Sequence, residues 1–244
     1  MGEAFQKGFR AAWQNLPAIL SLQLAMALTV AAYYCWPAAT TLLSGYAAWQ
    51  HSGGILAAAL ATALAGGVLS EISLVYVGDN GRWTPAHLEN LAFKFGLFFV
   101  AGALVYEFYA WQAIWFGQGD AWSVLVPKIL VDQCIYTVFW ATPFYTLLTR
   151  WKALGYSAPK LWRGLDAEFV TERMLPILVT NWMFWLPGVS LIYAMPLVLQ
   201  TPLFIFATAI WGLLLPAVAQ QERAESDAPG LIPPGTTLFA NPAE

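Results

Sequence analysis

Long apolar runs, separated by short stretches that contain Pro, Gly and charged residues, dominate the pattern of this chain. A helix needs about 20 mostly apolar residues to cross the hydrocarbon core of a bilayer. The runs that are long enough cover residues 18–35, 53–77, 95–116, 128–150, 174–195 and 201–220. The pattern therefore predicts an all-α integral membrane protein, a bundle of about six transmembrane helices.

The segments outside these runs carry further predictions. Residues 36–50 are interpreted as an interfacial turn, and the short link between the last two spans predicts an antiparallel hairpin. Phe5, Phe9 and Trp13 recur at helical spacing, which predicts an amphipathic helix in the membrane interface. The stretch 158–173 predicts an amphipathic inner-surface helix between spans four and five. Residues 1–220 thus form a single transmembrane domain, and the acidic, Pro-containing stretch 221–244 is predicted to be disordered.

The distribution of Lys and Arg predicts the orientation, since these residues favour cytoplasmic segments. With the N-terminus inside, the one cation in the outer segments is Lys128. The inner segments hold the remaining ten, namely Lys7, Arg10, Arg82, Lys94, Arg150, Lys152, Lys160, Arg163, Arg173 and Arg223. Both termini are therefore predicted to face inward.

Composition and charge narrow the function classes. Hydrophobic residues make up 59% of the chain and charged residues 10%, against about 25% charged in a soluble domain. The net charge of −3 and the lack of a basic block argue against nucleic-acid binding. Two distant Cys, and His51 and His87 interpreted as loop residues, give no support for a metal site. No motif of a hydrolase or phosphate-binding enzyme occurs, so we expect neither an enzyme nor a cofactor.

The second span is rich in Gly, Ala, Ser and Thr. Small residues let helix backbones approach closely, which predicts a central packing helix. The same residues would also suit a pore wall with little side-chain bulk.

The polar residues inside the predicted spans are the candidates for function. Glu71, Glu107 and Asp132 lie on three consecutive spans at different depths, and Lys128 is one turn from Asp132, where the two could pair. Carboxylates in membrane helices usually face the bundle interior or a water-filled cavity. They could therefore line a polar path. Alternatively, Glu71 and Glu107 bond to neighbouring helices, while Lys128 and Asp132 extend to the interface.

Two stretches resemble a known family. Lys128, Asp132 and Gln133 form a K-x-x-x-D-Q pattern, and "TNWMFWLP" supplies Thr180, Asn181, Trp182, Trp185 and Pro187. With Pro196 and Trp211 further along, and Gly102 and Tyr109 upstream, the chain resembles the Mpv-seventeen / peroxisomal membrane protein (twenty-two kilodalton) family. The resemblance covers about residues 53–220, so the first 50 residues, with their interfacial helix and span, are an addition. Trp185 and Pro187 are separated by one residue more than the family pattern has.

The resemblance implies a channel-like protein of a bacterial plasma membrane, or of an inner mitochondrial or peroxisomal membrane. The leading hypothesis is a channel or carrier for small solutes or ions, with the lipid bilayer and a second copy of the chain as partners. Its polar candidates are Glu71, Glu107, Lys128, Asp132, Gln133 and Asn181. The alternatives are a structural or scaffolding membrane protein and an intramembrane enzyme that acts on a lipid or quinone.

Overall fold

The computed structural model describes residue 13 and residues 16–119, 121–196 and 199–209. These residues are helical or lie in short turns, and no strand occurs among them. Four helices are long and apolar enough to cross a membrane: Pro37–Tyr76, Pro85–Phe116, Trp122–Ala153 and Leu175–Tyr193. The predicted interfacial helix at Phe5 and Phe9, most of the sixth span with Trp211, and the acidic tail lie outside the described residues.

The helices follow one another with short connections. The α-helices are α1 Leu16–Cys35, α2 Pro37–Thr62, α3 Ser70–Ser73, α4 Pro85–Phe116, α5 Trp122–Leu130, α6 Thr142–Ala153, α7 Ala158–Arg163, α8 Ala167–Phe169, α9 Leu175–Tyr193 and α10 Leu199–Ala209. Four π-helical segments join some of them end to end: π1 Ala63–Leu69, π2 Leu74–Gly78, π3 Val131–Ala141 and π4 Val170–Met174.

The stretch after α1 is a helix, so the prediction of an interfacial turn at residues 36–50 was wrong. Pro37 stands in the first turn of α2, directly after the extended residue Trp36. Pro suits this position because its missing N–H would have no helical partner there. The helix breaks later, at Gly54, whose backbone angles are φ 56° and ψ −144°.

The small residues of the second span form a packing surface, as one of the two interpretations predicted. A Cβ atom on Gly67 would lie 2.9 Å from the backbone nitrogen of Phe95 in α4. A Cβ on Gly102 of α4 would lie 2.5 Å from Thr62 Oγ1. Larger side chains would therefore push these helices apart, and the close approach depends on glycine on both sides.

The single inner-surface helix predicted at residues 158–173 does not form. Helix α7 ends before Gly164, and a new helix starts after Asp166, whose Oδ1 accepts a hydrogen bond from the Phe169 backbone nitrogen at 2.8 Å. This N-cap favours a fresh helix start over continuation. Phe169 is buried, and the Arg150 guanidinium lies 4.6 Å from its ring centre.

Helices α9 and α10 lie side by side, as the predicted hairpin requires. Trp185 of α9 stacks on Phe204 of α10 with ring centres 5.5 Å apart. Tyr193, at the end of α9, is fully buried, and its ring packs against the edge of Tyr109 from α4 at 5.2 Å. These aromatic contacts form the centre of the core.

Candidate functional site

Asp132 lies in the bundle interior at the start of π3. Its side chain is buried, and its two carboxylate oxygens accept separate hydrogen bonds. Tyr193 donates its hydroxyl to Oδ2 at 2.5 Å, and Gln133 donates Nε2 to Oδ1 at 2.8 Å. Its carboxyl group is therefore held in one orientation by Tyr193 from α9 and by its own neighbour in π3.

The two stretches that carry the family resemblance meet here. Trp182 of α9 donates its indole Nε1 to the backbone carbonyl oxygen of Gln133 at 2.9 Å. Gln133 lies in the π-helical segment π3. π-Helical turns within α-helices are frequent at functional sites. Asn181, the neighbour of Trp182, lines the same interior space as Asp132 and Gln133.

Lys128 is fully buried, which corrects two expectations. Its side chain is 1% exposed, so it does not extend to the interface. It also forms no ion pair with a described residue, while Tyr193 and Gln133 bond to the oxygens of Asp132. The ammonium instead lies 5.9 Å from the ring centre of Tyr193.

Glu71 belongs to a separate charged cluster. Its carboxylate is fully buried, with Lys94 Nζ 2.6 Å from Oε2 and His87 Nδ1 3.1 Å from Oε1. His87 Nε2 lies 3.5 Å from Asp79 Oδ2. Thr84 caps α4 and places His87 in its first turn, facing Glu71. The interpretation of His87 as a loop residue was therefore wrong.

His51 also differs from its prediction, since it lies in α2 rather than in a loop. Cys35 and Cys134 are free and exposed. No group of His, Cys, Asp and Glu side chains that could hold a metal ion occurs in the described part of the chain.

Glu107 is not part of either cluster. Helix α4 turns Gly102, Val105, Tyr109 and Gln112 toward the core and leaves the Glu107 side chain exposed. The predicted acids therefore do not assemble into one path. Asp132 lines the interior, Glu71 is paired between helices, and Glu107 lies on the outside of the described bundle.

A cleft of about 170 Å³, partly open at the surface of the bundle, extends beside Asp132. Most of its wall is aromatic and aliphatic, and its polar groups include Asp132, Gln133, Asn181 and a row of threonines that ends at Thr149. On α4 it runs from Phe98 to Tyr109, a rise of about 16 Å at 1.5 Å per residue. It therefore covers about half the thickness of a hydrocarbon core.

A second cleft, of about 540 Å³ and more open at the surface, also has Tyr109 in its wall. It is bounded by the last residues of α2 before the Gly54 break, by the far end of α4 and by the start of α10. Its described wall contains the polar residues Gln50, His51, Ser52, Tyr106, Tyr109, Gln118 and Thr201. Tyr109 lines both clefts and is the residue their walls share.

The remaining positions of the family resemblance have mixed placements. Tyr109 and Gly102 are buried at helix contacts, and Trp185 packs on Phe204. Pro187 is inside α9 and exposed, and Pro196 follows the end of that helix. Thr180 has a helical backbone in α9.

Sequence reasoning missed Tyr193, His87 and Gln50. The signal for His87 was present, because Thr84 and Pro85 form a helix-start pattern that places His87 on a helix. Tyr193 is one polar group in an apolar run, and Gln50 lies in the polar stretch before the Gly53–Gly54 pair; neither pattern shows which helices pack around the side chain.

Compared with known proteins, the chain matches no family model, no curated protein and no solved structure.

Proposed function

We propose that this chain is a channel-like or carrier-like membrane protein that passes small solutes through its helix bundle. The observation that carries the proposal is that two clefts with polar groups in their walls share one buried residue of α4, Tyr109. A buried ring between two such clefts would act as the gate of a solute pathway.

The proposal includes the predicted topology. Six crossings with both termini inside put the second cleft at the outer side and Thr149, next to Arg150, near the inner side. The partners in this proposal are the bilayer, the solute and a second copy of the chain. The membrane is a bacterial plasma membrane, or an inner mitochondrial or peroxisomal one.

We also propose distant membership in the Mpv-seventeen / peroxisomal membrane protein family. The support is the contact between the two stretches that carry the resemblance, where Trp182 donates to the Gln133 carbonyl oxygen. Two segments about fifty positions apart would meet in this way if the pattern were one functional unit.

Tyr109 is the residue whose change should affect flux most directly. Truncation to Ala would remove a buried aromatic ring, which typically costs about 3–5 kcal/mol and risks unfolding the core. A thiol test, Tyr109→Cys in a chain with Cys35→Ser and Cys134→Ser, removes the same ring, so it is made on the fraction that stays folded in detergent. We expect that a small thiol reagent blocks solute flux into proteoliposomes for this variant.

The matched control is Tyr34→Cys in the same background, since Tyr34 is an exposed tyrosine of α1. Modification there should leave flux unchanged. If labelling of the two variants is equally complete and neither loses flux, or if unlabelled proteoliposomes admit no solute above empty ones, the transport proposal fails.

A structural role is the second candidate, because the polar candidates are bonded to one another. Asp132 accepts one bond from another helix, from Tyr193, and Glu71 contacts His87 and Lys94 of α4. Such bonds between membrane helices are worth about 0.6–2 kcal/mol. This role predicts that Asp132→Asn lowers the unfolding temperature in detergent, while flux per folded protein stays at the background of empty liposomes. The third hypothesis is an intramembrane enzyme, and a cluster of acids around one pocket would favour it. Among the described residues that line the first cleft, Asp132 is the one carboxylate.

A further inference from the structure

The outward side of α4 presents a row of side chains to the surroundings of the bundle. These residues, which we call the Glu107 face, follow one another at intervals of three or four: Val100, Ala103, Glu107, Trp111 and Ile114. Ala103 is half-buried and the others are exposed. We propose that the Glu107 face is the contact surface between two copies of this chain, in which Glu107 of each copy accepts a hydrogen bond from Trp111 of the other. This assignment rests on one part of the proposed function, the second copy as a partner, and does not depend on transport.

Glu107 is the residue that points to a partner outside the described bundle. It lies in the middle of the apolar run 95–116, about 18 Å from Phe95 and about 14 Å from Phe116 at 1.5 Å per residue. Its side chain is too short to reach water at either end. Acids in membrane helices almost always face the bundle interior or a water-filled cavity, or pair with another group. Glu107 lines neither cleft and forms no ion pair with a described residue.

The chain that continues α10 starts on the opposite side of α4. Phe204 of α10 packs against the edge of Tyr109, with ring centres 6.2 Å apart. Tyr109 and Glu107 are two residues apart, so they point about 200° away from each other around the helix. Helix α4 is also the least buried of the four long apolar helices, which leaves its outward side free for another molecule. A second copy is therefore a better candidate for this side than residues 210–220.

A second copy supplies the hydrogen-bond donor by symmetry. Copies of one membrane protein insert in the same orientation, so a twofold axis along the membrane normal brings the two α4 helices together in parallel. Along such a contact, each side chain packs among residues three or four positions away on the other helix. Trp111 is 53% exposed, and its indole N–H is a donor only. Glu107 of each copy thus meets Trp111 of the other, because the same patch is used twice.

The other residues of the Glu107 face suit close packing of two membrane helices. Ala103 is small, which lets the helix backbones approach each other in the half of the face toward Phe95. Val100 and Ile114 are apolar and exposed at the two ends of the face. Association of membrane helices depends on such packing together with hydrogen bonds between the helices. The Glu107 face offers both.

Disulfide formation between identical positions tests the contact in membranes. The variant Ile114→Cys, with Cys35→Ser and Cys134→Ser, places one thiol on the Glu107 face. Copper phenanthroline, with dissolved oxygen as the oxidant, should join two copies of this variant into a dimer on non-reducing gels. The matched control is Leu130→Cys in the same background, because Leu130 is exposed on α5, also two residues from the end of an apolar run. It should dimerise at least tenfold less.

Substitutions of the acid test the hydrogen bond itself. Adding Glu107→Leu removes both symmetric bonds and should lower the dimer yield of Ile114→Cys about tenfold or more. Adding Glu107→Gln keeps an oxygen that accepts the same bond, so the yield should stay within about twofold. Because Glu107 is exposed, both variants should keep the unfolding temperature of the monomer in detergent. A yield that survives Glu107→Leu, or equal yields for Ile114→Cys and Leu130→Cys, overturns the assignment.

A second thiol distinguishes the other occupant. In the double variant Ile114→Cys with Gly212→Cys, a disulfide within one chain in place of the dimer would show that residues 210–220 cover the Glu107 face, which also overturns the assignment. Solute flux into proteoliposomes separates this inference from the proposed function. If the dimer forms in the Glu107-dependent way and no solute crosses, the interface stands and transport fails. If solute crosses and no dimer forms, transport stands and the interface fails.

Discussion

The Glu71 cluster allows a sharp test, because the chain offers the same substitution at a buried and at an exposed site. Glu71→Gln keeps the shape of the side chain and removes its charge. Lys94 Nζ, 2.6 Å from Glu71 Oε2, then loses its counter-ion. Breaking a buried ion pair usually costs about 3–5 kcal/mol.

The expected cost lies at the lower end of that range. The Lys94 side chain is 17% exposed, so its ammonium can turn partly toward the surface. His87 keeps its contact with Asp79 at 3.5 Å. We therefore expect a loss of about 3 kcal/mol, which for a chain of this size lowers the unfolding temperature by about 6–12 °C.

Thermal unfolding of the purified protein in detergent, followed by tryptophan fluorescence, measures this effect. Glu107→Gln is the matched control, because its side chain is exposed on α4, and we expect no change in its unfolding temperature. A double variant, Glu71→Gln with Lys94→Met, should lose less than the sum of the single variants, since both remove the same pair. Equal losses for Glu71→Gln and Glu107→Gln would refute the distinction between the two sites.

Two further predictions concern helix contacts. Gly102→Ala should destabilise the protein by about 1–3 kcal/mol, because the new Cβ would lie 2.5 Å from Thr62 Oγ1. Gly96→Ala on the same helix has open space at the Cβ position and should be neutral or stabilising by up to about 1 kcal/mol; the same loss at both positions in thermal unfolding would contradict the contact. Trp182→Phe should cost about 1 kcal/mol, because it leaves the Gln133 carbonyl oxygen without its indole donor, and an unchanged unfolding temperature would show that this bond contributes nothing.

The sequence predicts the helices well and their breaks poorly. The apolar runs 53–77, 95–116, 128–150 and 174–195 each overlap one of the four long apolar helices, since length and hydropathy decide whether a segment can cross a bilayer. The stretch at Pro37 was misjudged because Pro was taken as a stop signal. Pro in a first turn is instead compatible with a helix start.

The orientation of polar side chains within a helix was the harder problem. Glu107 was predicted to face inward by analogy with other intramembrane acids. The spacing of Gly102, Val105, Tyr109 and Gln112 marks a stripe three or four residues apart, and Glu107 lies off that stripe. A helical-wheel argument from small and aromatic residues would have predicted its exposure.

Partners from distant segments could not be read from the chain. The Glu71 side chain meets His87 and Lys94 because π1 packs closely on α4 at Gly67. Asp132 meets Tyr193 because α9 ends at the level where π3 begins. Such pairings depend on how the helices are aligned against one another, and the local patterns of the sequence do not reveal this alignment.

The placement of the polar groups separates two roles that the sequence could not distinguish. Asp132 bonds to Tyr193 of α9 and to its own neighbour Gln133, and Glu71 contacts His87 and Lys94 of α4, so changes at the two acids act on stability first and on any flux second. Tyr109 lines both clefts, so a change there acts on the path as well as on the core. Transport therefore predicts that, per folded protein, flux changes most when Tyr109 is altered, whereas a purely structural role predicts a lower unfolding temperature for the Glu71 and Asp132 variants and no flux above background for any of them.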